Sequence, residues 1–276
     1  MLNQDKWFSK VCESYKNPPQ FHDGEELPGF PSDELQANTT GQSGVETLRE
    51  AFIFYQDCAR TLDEIGSPLG REQRMLDFGV GWGRIARFFL QDIPKKGIYG
   101  LDVTSDFVKV CRDTFGNENF QKCAPFPPTS LQNDQFNLIT GYSVFSHLSE
   151  AACNSWMEEF YRILAPRGIV AVTTRGRPFF DYCESLRGKG LEGYQGALSR
   201  MFSDFDDARA RYDSGQFVHS NSHGITGGGD MDGSFYGESF IPEEYAKAAY
   251  EHKFELVKFL YEPPRQTHPI LFFRKI

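Results

Sequence analysis

Met75-Leu76-Asp77-Phe78-Gly79-Val80-Gly81-Trp82-Gly83-Arg84, continued by Ile85-Ala86-Arg87-Phe88-Phe89-Leu90, is the stretch that decides the fold of this 276-residue chain. Apolar residues around a single acid read as a buried strand. Three glycines at alternate positions then make a tight turn, because such a turn needs backbone angles that glycine tolerates and lets a ligand approach the main chain. The apolar run from Ile85 predicts a helix behind the turn, its N-terminus and free N–H groups facing whatever sits there. A nucleotide-type ligand is the natural occupant, and a plain strand–turn–helix connection is the alternative.

Spacing narrows the choice. A dinucleotide loop reads G-x-G-x-x-G, whereas Gly79, Gly81 and Gly83 are spaced G-x-G-x-G, with Asp77 two residues ahead. This arrangement resembles the first motif of the class I S-adenosylmethionine-dependent methyltransferases. The resemblance implies a loop wrapped around the amino-acid end of the cofactor, with Asp77 helping to hold its ammonium side. An acid there would repel a pyrophosphate. Downstream, Gly97-Ile98-Tyr99-Gly100-Leu101-Asp102-Val103 reads as the next strand, ending in an acid about 20 residues past the glycines, where a carboxylate accepts from ribose hydroxyls. A helix cap or a surface acid is the other reading of Asp102.

The resemblance runs on through residues 70 to 175. Phe120-Gln121-Lys122-Cys123-Ala124-Pro125-Phe126 reads as the end of a third strand, where the family places residues beside the adenine. Phe136 to Gly141 reads as a fourth strand, with Tyr142-Ser143-Val144-Phe145-Ser146-His147-Leu148 as its exit. Trp156 to Pro166 reads as a helix on the spacing of Trp156, Phe160, Ile163 and Leu164. It runs into Leu164-Ala165-Pro166-Arg167-Gly168, close to the family's L-x-P-G-G turn, with Arg167 in place of the first glycine. Ile169 to Thr174 makes a fifth strand, and Phe254–Tyr261 with Pro269–Arg274 looks like the closing antiparallel pair. The implied fold is α/β and Rossmann-like, a mostly parallel seven-stranded sheet with an antiparallel last strand and helices on both faces. The implied cofactor is S-adenosyl-L-methionine. Its implied contacts are Asp77, Gly79, Gly81, Trp82, Gly83, Asp102, Val103, Ala124, Pro125, Tyr142 and Ser143, with Thr40 and Gly41 from the N-terminal leader.

Two regions lie outside that core, giving an arm over residues 1–70, a cofactor-binding domain over 71–276, and an insertion within it at about 176–254. The arm is rich in turn residues (Pro18-Pro19, Leu27-Pro28-Gly29-Phe30-Pro31, Asn38-Thr39-Thr40-Gly41) and is expected to be extended or looped before a helix from about Gly44 to Leu62. Leu27 through Gly41 resembles the leader of methyltransferases from polysaccharide and small-molecule pathways, which lies over the cofactor; a packing arm without ligand contact is the alternative. The insertion is far longer than usual crossovers, as a lid or binding cap would be. Ala197 to Tyr212 reads as one polar helix whose aromatic stripe is more often packing than a substrate box.

The formal charge of −9 and the absence of a basic block argue against a nucleic-acid acceptor, whose phosphates need clustered Lys and Arg. Six scattered cysteines suggest neither a zinc site nor a disulfide framework. The first residues lack the shape of a signal peptide and no apolar run approaches a membrane span, so the expectation is a cytoplasmic protein with no membrane partner. His219, His223, Asp230 and Asp232 were the residues to weigh as a metal set, but the intervening Ser-Asn-Ser and glycines break the helix that would align the histidines, and no metal is expected.

Methyl transfer to a hydroxyl requires alignment of the acceptor and removal of its proton, which suits a histidine near neutral pH. The candidates are His147, His219 and His223, with backbone-bonded or loop-ordering roles as the alternatives. An Asp/Asn-Pro-Pro-aromatic run, the mark of enzymes that methylate amino groups of nucleic-acid bases, is absent from Thr140-Gly141-Tyr142-Ser143. The reading is therefore a methyltransferase acting on a small-molecule acceptor, at a sugar or natural-product hydroxyl. Other transfer chemistry on the same cofactor (N- or C-methyl, aminopropyl), a nicotinamide dehydrogenase, and a non-catalytic binding module are the rivals. The sequence leaves the oligomeric state open.

Overall fold

The computed structural model describes residues 2–222 and 231–276. By internal contacts the chain divides into two units, residues 1–123 with 136–140 and residues 124–135 with 141–276. The main sheet has seven strands, ordered β10-β11-β7-β6-β3-β4-β5 with the residue ranges given below.

The first unit opens with helix α1 (Leu2–Lys16), the hairpin β1 (Phe21–His22) and β2 (Glu25–Glu26), helix α2 (Asp33–Thr40) and helix α3 (Gly44–Glu64). The arm is thus more helical than its turn residues suggest. Ser32 caps α2 by accepting from the Leu35 N–H, Asp33 and Glu34 fill its first turn, and Gly41 closes it in the left-handed region at φ 77°. These are the start and stop signals of a short helix, and they outweigh the turn-forming composition around them.

Strand β3 (Met75–Phe78) follows, buried at all four positions. It lies between β4 (Ile98–Asp102) and β6 (Phe136–Gly141), parallel to both. A strand covered on both faces and both edges has to be apolar throughout, which makes Asp77 the exception to explain. The helix expected after the glycines is a 3-10 helix over Ala86–Gln91. Ala86 through Leu90 are all buried. Helix α4 (Ser105–Phe115) and strand β5 (Phe120–Lys122) complete the unit. β5 stops earlier than the apolar pattern suggested; Cys123 gives its N–H to the Asp102 carbonyl and the chain then leaves the sheet.

The second unit begins with α5 (Glu150–Ile163), which starts at its Ser149 cap and ends before Leu164. β7 (Leu164–Thr173) takes over at once, so Leu164–Gly168 belongs to the strand and not to a separate turn. Arg167 supplies the left-handed residue there, at φ 62°. The insertion contributes α6 (Pro178–Ser185), α7 (Gly193–Arg200), α8 (Phe205–Asp213), β8 (Val218–Ser220) and β9 (Glu238–Phe240). The single helix expected from Ala197 to Tyr212 is therefore two. Asp204 breaks it, its carboxylate accepting from the N–H groups of Asp206 and Asp207 to start α8. The insertion has its own core of Phe180, Cys183, Leu198, Met201, Phe205, Val218 and Phe240, with Phe180 stacked on Phe240. Much of its aromatic content is packing, as the stripe suggested. Helix α9 (Glu243–Tyr250) leads to β10 (Phe254–Leu260) and β11 (Ile270–Lys275), and β11 runs antiparallel to both β10 and β7. No helix among the described residues is long and apolar enough to cross a membrane.

Candidate functional site

In the first unit, β3 has β4 on one side and β6 on the other, so successive strands diverge from it in opposite directions. Ligands in open α/β sheets bind at such a point, outside the carboxyl ends of the strands. There the glycine loop is fastened to β4 by three main-chain N–H groups. Gly79 and Val80 both donate to the Leu101 carbonyl, and Gly81 donates to a carboxylate oxygen of Asp102 at 2.9 Å. The other Asp102 oxygen takes the Thr104 N–H at 2.8 Å. Burial raises the pKa of this carboxyl, against the pull of those backbone donors. Each carboxylate oxygen can accept more than one bond, so Asp102 keeps acceptor capacity for a ligand's hydroxyls. Val103, half-buried, follows it.

All three glycines have positive φ, at 70°, 52° and 79° for Gly79, Gly81 and Gly83. Gly83 is needed for packing, because a Cβ there would lie 2.5 Å from the Phe115 ring. Gly81 differs: a Cβ there would meet nothing within 4 Å. The main chain at Gly81 therefore borders open space beside the Asp102 carboxylate, and a nucleoside-bearing cofactor with an amino-acid end fits that combination of bare backbone and ribose acceptor.

Asp77 is engaged within the protein. One of its oxygens accepts from the Thr140 hydroxyl at 3.0 Å and the other from the Ala86 N–H at 3.2 Å. It ties the start of the 3-10 helix and β6 to β3, and burial pushes its pKa up to about 7 despite those donors. Trp82 is buried, with its indole N–H unpartnered among the described residues. Thr40 and Gly41 end α2, where the Thr40 hydroxyl bonds the Gln36 and Gln42 carbonyls and receives the Thr47 hydroxyl.

The other expected contacts lie in the second unit. Ala124 is exposed, and the Pro125 carbonyl accepts from the Trp156 indole at 2.9 Å. Ser143 sits at φ 59°, its N–H donating to the Thr173 hydroxyl, a left-handed non-glycine residue of the kind that clusters at functional sites. Tyr142 meets the His268 ring edge-on, with centroids 5.7 Å apart.

The second unit also builds a buried polar cluster, in which two of the three histidines come together. Main-chain bonds lace residues 146–149 to 235–239: Gly237 donates to the His147 carbonyl, Ser239 to that of Ser146, and Ser149 to that of Phe235. β8 pairs with β9, setting His219 opposite Ser239. At the centre is Glu238, fully buried. It accepts from Arg175 at 2.6 Å and from the Tyr194 hydroxyl at 2.6 Å, and lies 3.3 Å from Nδ1 of His147. Burial alone would raise its pKa, but His147 and Arg175 together outweigh burial and hold it at about 2. Arg175 also donates to Tyr194 and His268 and lies over the Phe179 ring.

Partner chemistry fixes the histidine tautomers. Nδ1 of His147 faces the Gly237 carbonyl at 2.8 Å and the Glu238 carboxylate, both acceptors only, so Nδ1 carries a proton. Nδ1 of His219 faces the Ser239 hydroxyl at 2.7 Å, and that hydroxyl gives its one proton to the Leu148 carbonyl. His219 must therefore donate from Nδ1, which leaves Nε2 as a lone pair, buried and without a partner among the described residues. Burial lowers the pKa of His219 and favours this neutral form. The His147 ring is stacked on Tyr236, with the two planes within 1°. His223 lies outside the described residues, as does Asp230. Among the described residues no group of three or more His, Cys, Asp or Glu is arranged to hold a metal ion.

Residues 76–170 match the family model described as a methyltransferase domain. Over these residues the chain is similar to S-adenosylmethionine-dependent methyltransferases. S-adenosylmethionine is the cofactor of that family, in keeping with the open backbone at Gly81 beside Asp102. Among curated proteins, the methyltransferase domain is similar to the demethylmenaquinone methyltransferase of Chlamydia muridarum, 27% identical over 122 residues, or 41% of this chain. The match spans about half (48%) of that relative's length. Among solved structures, the magnesium protoporphyrin IX methyltransferase of Synechocystis PCC 6803, with bound SAH, shares the fold at a TM-score of 0.50 and 11% identity, over 84% of this chain and 87% of that one. A Listeria monocytogenes protein assigned as an S-adenosylmethionine-dependent methyltransferase gives 0.51 at 14% identity, over 79% and 99%.

Sequence reasoning missed Glu238, Arg175, Tyr194 and Ser239 as members of one cluster. One signal existed. Gly237 precedes Glu238 where a Cβ would strike the Ser220 carbonyl, so a glycine beside an acid late in the insertion marked a close approach of two strands.

Proposed function

We propose that this protein transfers the methyl group of S-adenosylmethionine to a hydroxyl of a small-molecule acceptor, with His147 as the base that takes the hydroxyl proton. Gly79, Gly81, Trp82, Gly83, Asp102 and Val103 would hold the cofactor, with Asp77 shaping the loop from beneath; Thr40, Gly41, Ala124, Pro125, Tyr142 and Ser143 are further contacts in this reading. The bound cofactor supplies a methyl group on a cationic sulfur, a good leaving group for in-line displacement.

The observation that carries the base is the tautomer of His147. Its Nδ1–H is held by the Gly237 carbonyl and the Glu238 carboxylate, so Nε2 is the nitrogen left to take the acceptor's proton. A base oriented by a neighbouring acid follows the general logic of activated catalytic groups. Glu238, already ionised, stabilises the imidazolium that forms when the proton arrives, and Arg175 and Tyr194 keep that carboxylate in place. The bare Nε2 of His219 is an acceptor suited to a second hydroxyl of the same substrate, and His223 remains a third candidate. Oxygen as the acceptor atom rests on these histidines. The relatives do not argue for it, since one structural neighbour is named as a carbon methyltransferase.

Incubation with methyl-labelled cofactor and a panel of hydroxylated sugars and phenols should give a labelled product with one equivalent of S-adenosylhomocysteine. On that substrate His147→Ala should lower turnover by roughly 10²–10⁴, the usual contribution of a positioned base. Intact turnover in alanine variants of His147, His219 and His223 alike would refute the histidine mechanism. Methylthioadenosine formed from the cofactor, with no methyl group on the acceptor, would refute methyl transfer itself.

A further inference from the structure

The first unit buries a cation that neither the loop geometry nor the proposed reaction uses. Arg87 is 1% exposed and has no carboxylate partner among the described residues. Its guanidinium donates to three main-chain carbonyls, Gly83 at 3.2 Å, Pro28 at 3.5 Å and Gly29 at 3.3 Å. Two aromatic rings cover it, Phe30 at 3.9 Å and Trp82 at 4.9 Å from ring centroid to guanidinium carbon. Burial pushes its pKa down to about 9, which still leaves it protonated at neutral pH. A buried cation without an anion is expensive, and an apolar side chain of similar size would fill the space at less cost. What the apolar residue would lose is the link that Arg87 makes between two parts of the chain more than 50 residues apart.

One end of that link is the glycine loop, reached through the Gly83 carbonyl and the Trp82 ring. The other is the leader, reached through Pro28, Gly29 and Phe30. The leader is braced in turn: Phe30 packs edge-on against Tyr15, and the buried Gln36 side chain bonds both the Pro31 carbonyl and the Gly44 N–H. A second arginine of the loop repeats the pattern. Arg84 donates to the Thr47 carbonyl at 2.9 Å and to Glu50 at 2.8 Å, both on α3. The outer side of the Gly81–Gly83 turn is therefore held by residues 28–50, while Gly81 on its inner side borders open space.

We propose that Phe30 and Arg87 are positioning residues for the cofactor. The mutual contacts of Phe30, Arg87 and Trp82, whose two rings also meet with centroids 6.2 Å apart, hold the Gly81–Gly83 turn in its cofactor-binding form, so docking of residues 28–31 and binding of the cofactor's amino-acid end favour one another. Such coupling is reciprocal by thermodynamic necessity. It gives residues 28–31 a role in affinity without contact with the cofactor. The inference rests on the cofactor reading above.

Titration calorimetry with S-adenosylhomocysteine tests it on the full chain. Phe30→Tyr keeps the ring over the cation and should bind within about twofold of wild type. Phe30→Leu keeps apolar volume but loses the ring face, and should bind about tenfold more weakly, a loss within the range of a desolvated cation–π contact. Hydrogen exchange supplies the reciprocal readout: adding S-adenosylhomocysteine should slow exchange across residues 27–43 in wild type, and much less in Phe30→Leu. Phe30→Leu binding within twofold of wild type, or unchanged leader exchange in wild type, would overturn the proposal while leaving the cofactor reading intact. Wild type that fails to bind S-adenosylhomocysteine at all would overturn both.

Discussion

The glycine loop of the first unit and the polar cluster of the second solve opposite problems. The loop spans fewer than 30 residues, from β3 to Asp102, and works through main-chain groups: its carboxylates are there mainly to receive N–H groups, as Asp102 receives Gly81 and Asp77 receives Ala86. The cluster gathers Arg175, Tyr194, His219, Glu238 and His268 around His147 from across more than 100 residues, and works through side chains whose charges and tautomers fix one another. A site built from backbone needs particular backbone angles, and a site built from buried charge needs every partner present. The two should fail differently when broken.

The largest expected effect is in the cluster. Glu238→Gln leaves the Arg175 guanidinium buried without its counter-charge and should cost about 3–5 kcal/mol of unfolding free energy in a denaturant titration. The same variant should change the pH dependence. The Glu238 carboxyl is held at about 2 when folded, against about 4.3 when unfolded. The stability it contributes is present above the unfolded value and is lost as pH falls through 4 toward 2. Glu238→Gln should flatten that part of the acid limb. A variant with wild-type stability and an unchanged limb would mean that the cluster is not a charge-balanced network.

Next comes a contrast within the loop. Gly83→Ala combines a left-handed backbone with a clash against Phe115, and should cost about 2–4 kcal/mol of stability. Gly81→Ala carries the backbone strain alone, about 1–2 kcal/mol, because its Cβ enters open space. Its main effect should appear instead in S-adenosylhomocysteine affinity, weakened at least tenfold. Equal binding by Gly81→Ala and wild type would remove the reason to place a ligand at that backbone. The smallest effect is expected at Ser149, which caps α5 immediately after the His147 segment by accepting from the Ala152 N–H. Ser149→Ala should cost about 1 kcal/mol in thermal unfolding, and a much larger loss would show that the cap also supports the cluster.

How much of each site was legible follows from the same contrast. Gly79, Gly81, Gly83 and Asp102 were readable because backbone demands are local: a turn with positive φ calls for glycine, and a parallel pair of strands returns the next carboxylate at a fixed distance in sequence. The antiparallel closing pair was readable as what the family resemblance implies. His147 and His219 were readable as candidates by residue type. Their joint membership in one cluster was not, because it depends on the β8–β9 register and on the lacing of 235–239 onto 146–149. Helix character in the arm was hidden for a different reason, since the cap signals at Ser32 and Gly41 were outvoted by the turn residues near them.

By itself, then, the sequence determined the α/β order of elements, the tight glycine turn at residues 79–83 and the acid at Asp102 that ends the next strand. Each of these is dictated by short-range backbone sterics and periodicity. Only the tertiary structure decided that Asp77 braces the loop from within, that Arg87 joins the leader to that loop, and that Glu238 with Arg175 sets the proton on His147. Those roles belong to buried charges, whose meaning lies in partners tens of residues away and in the low-dielectric surroundings that fold around them.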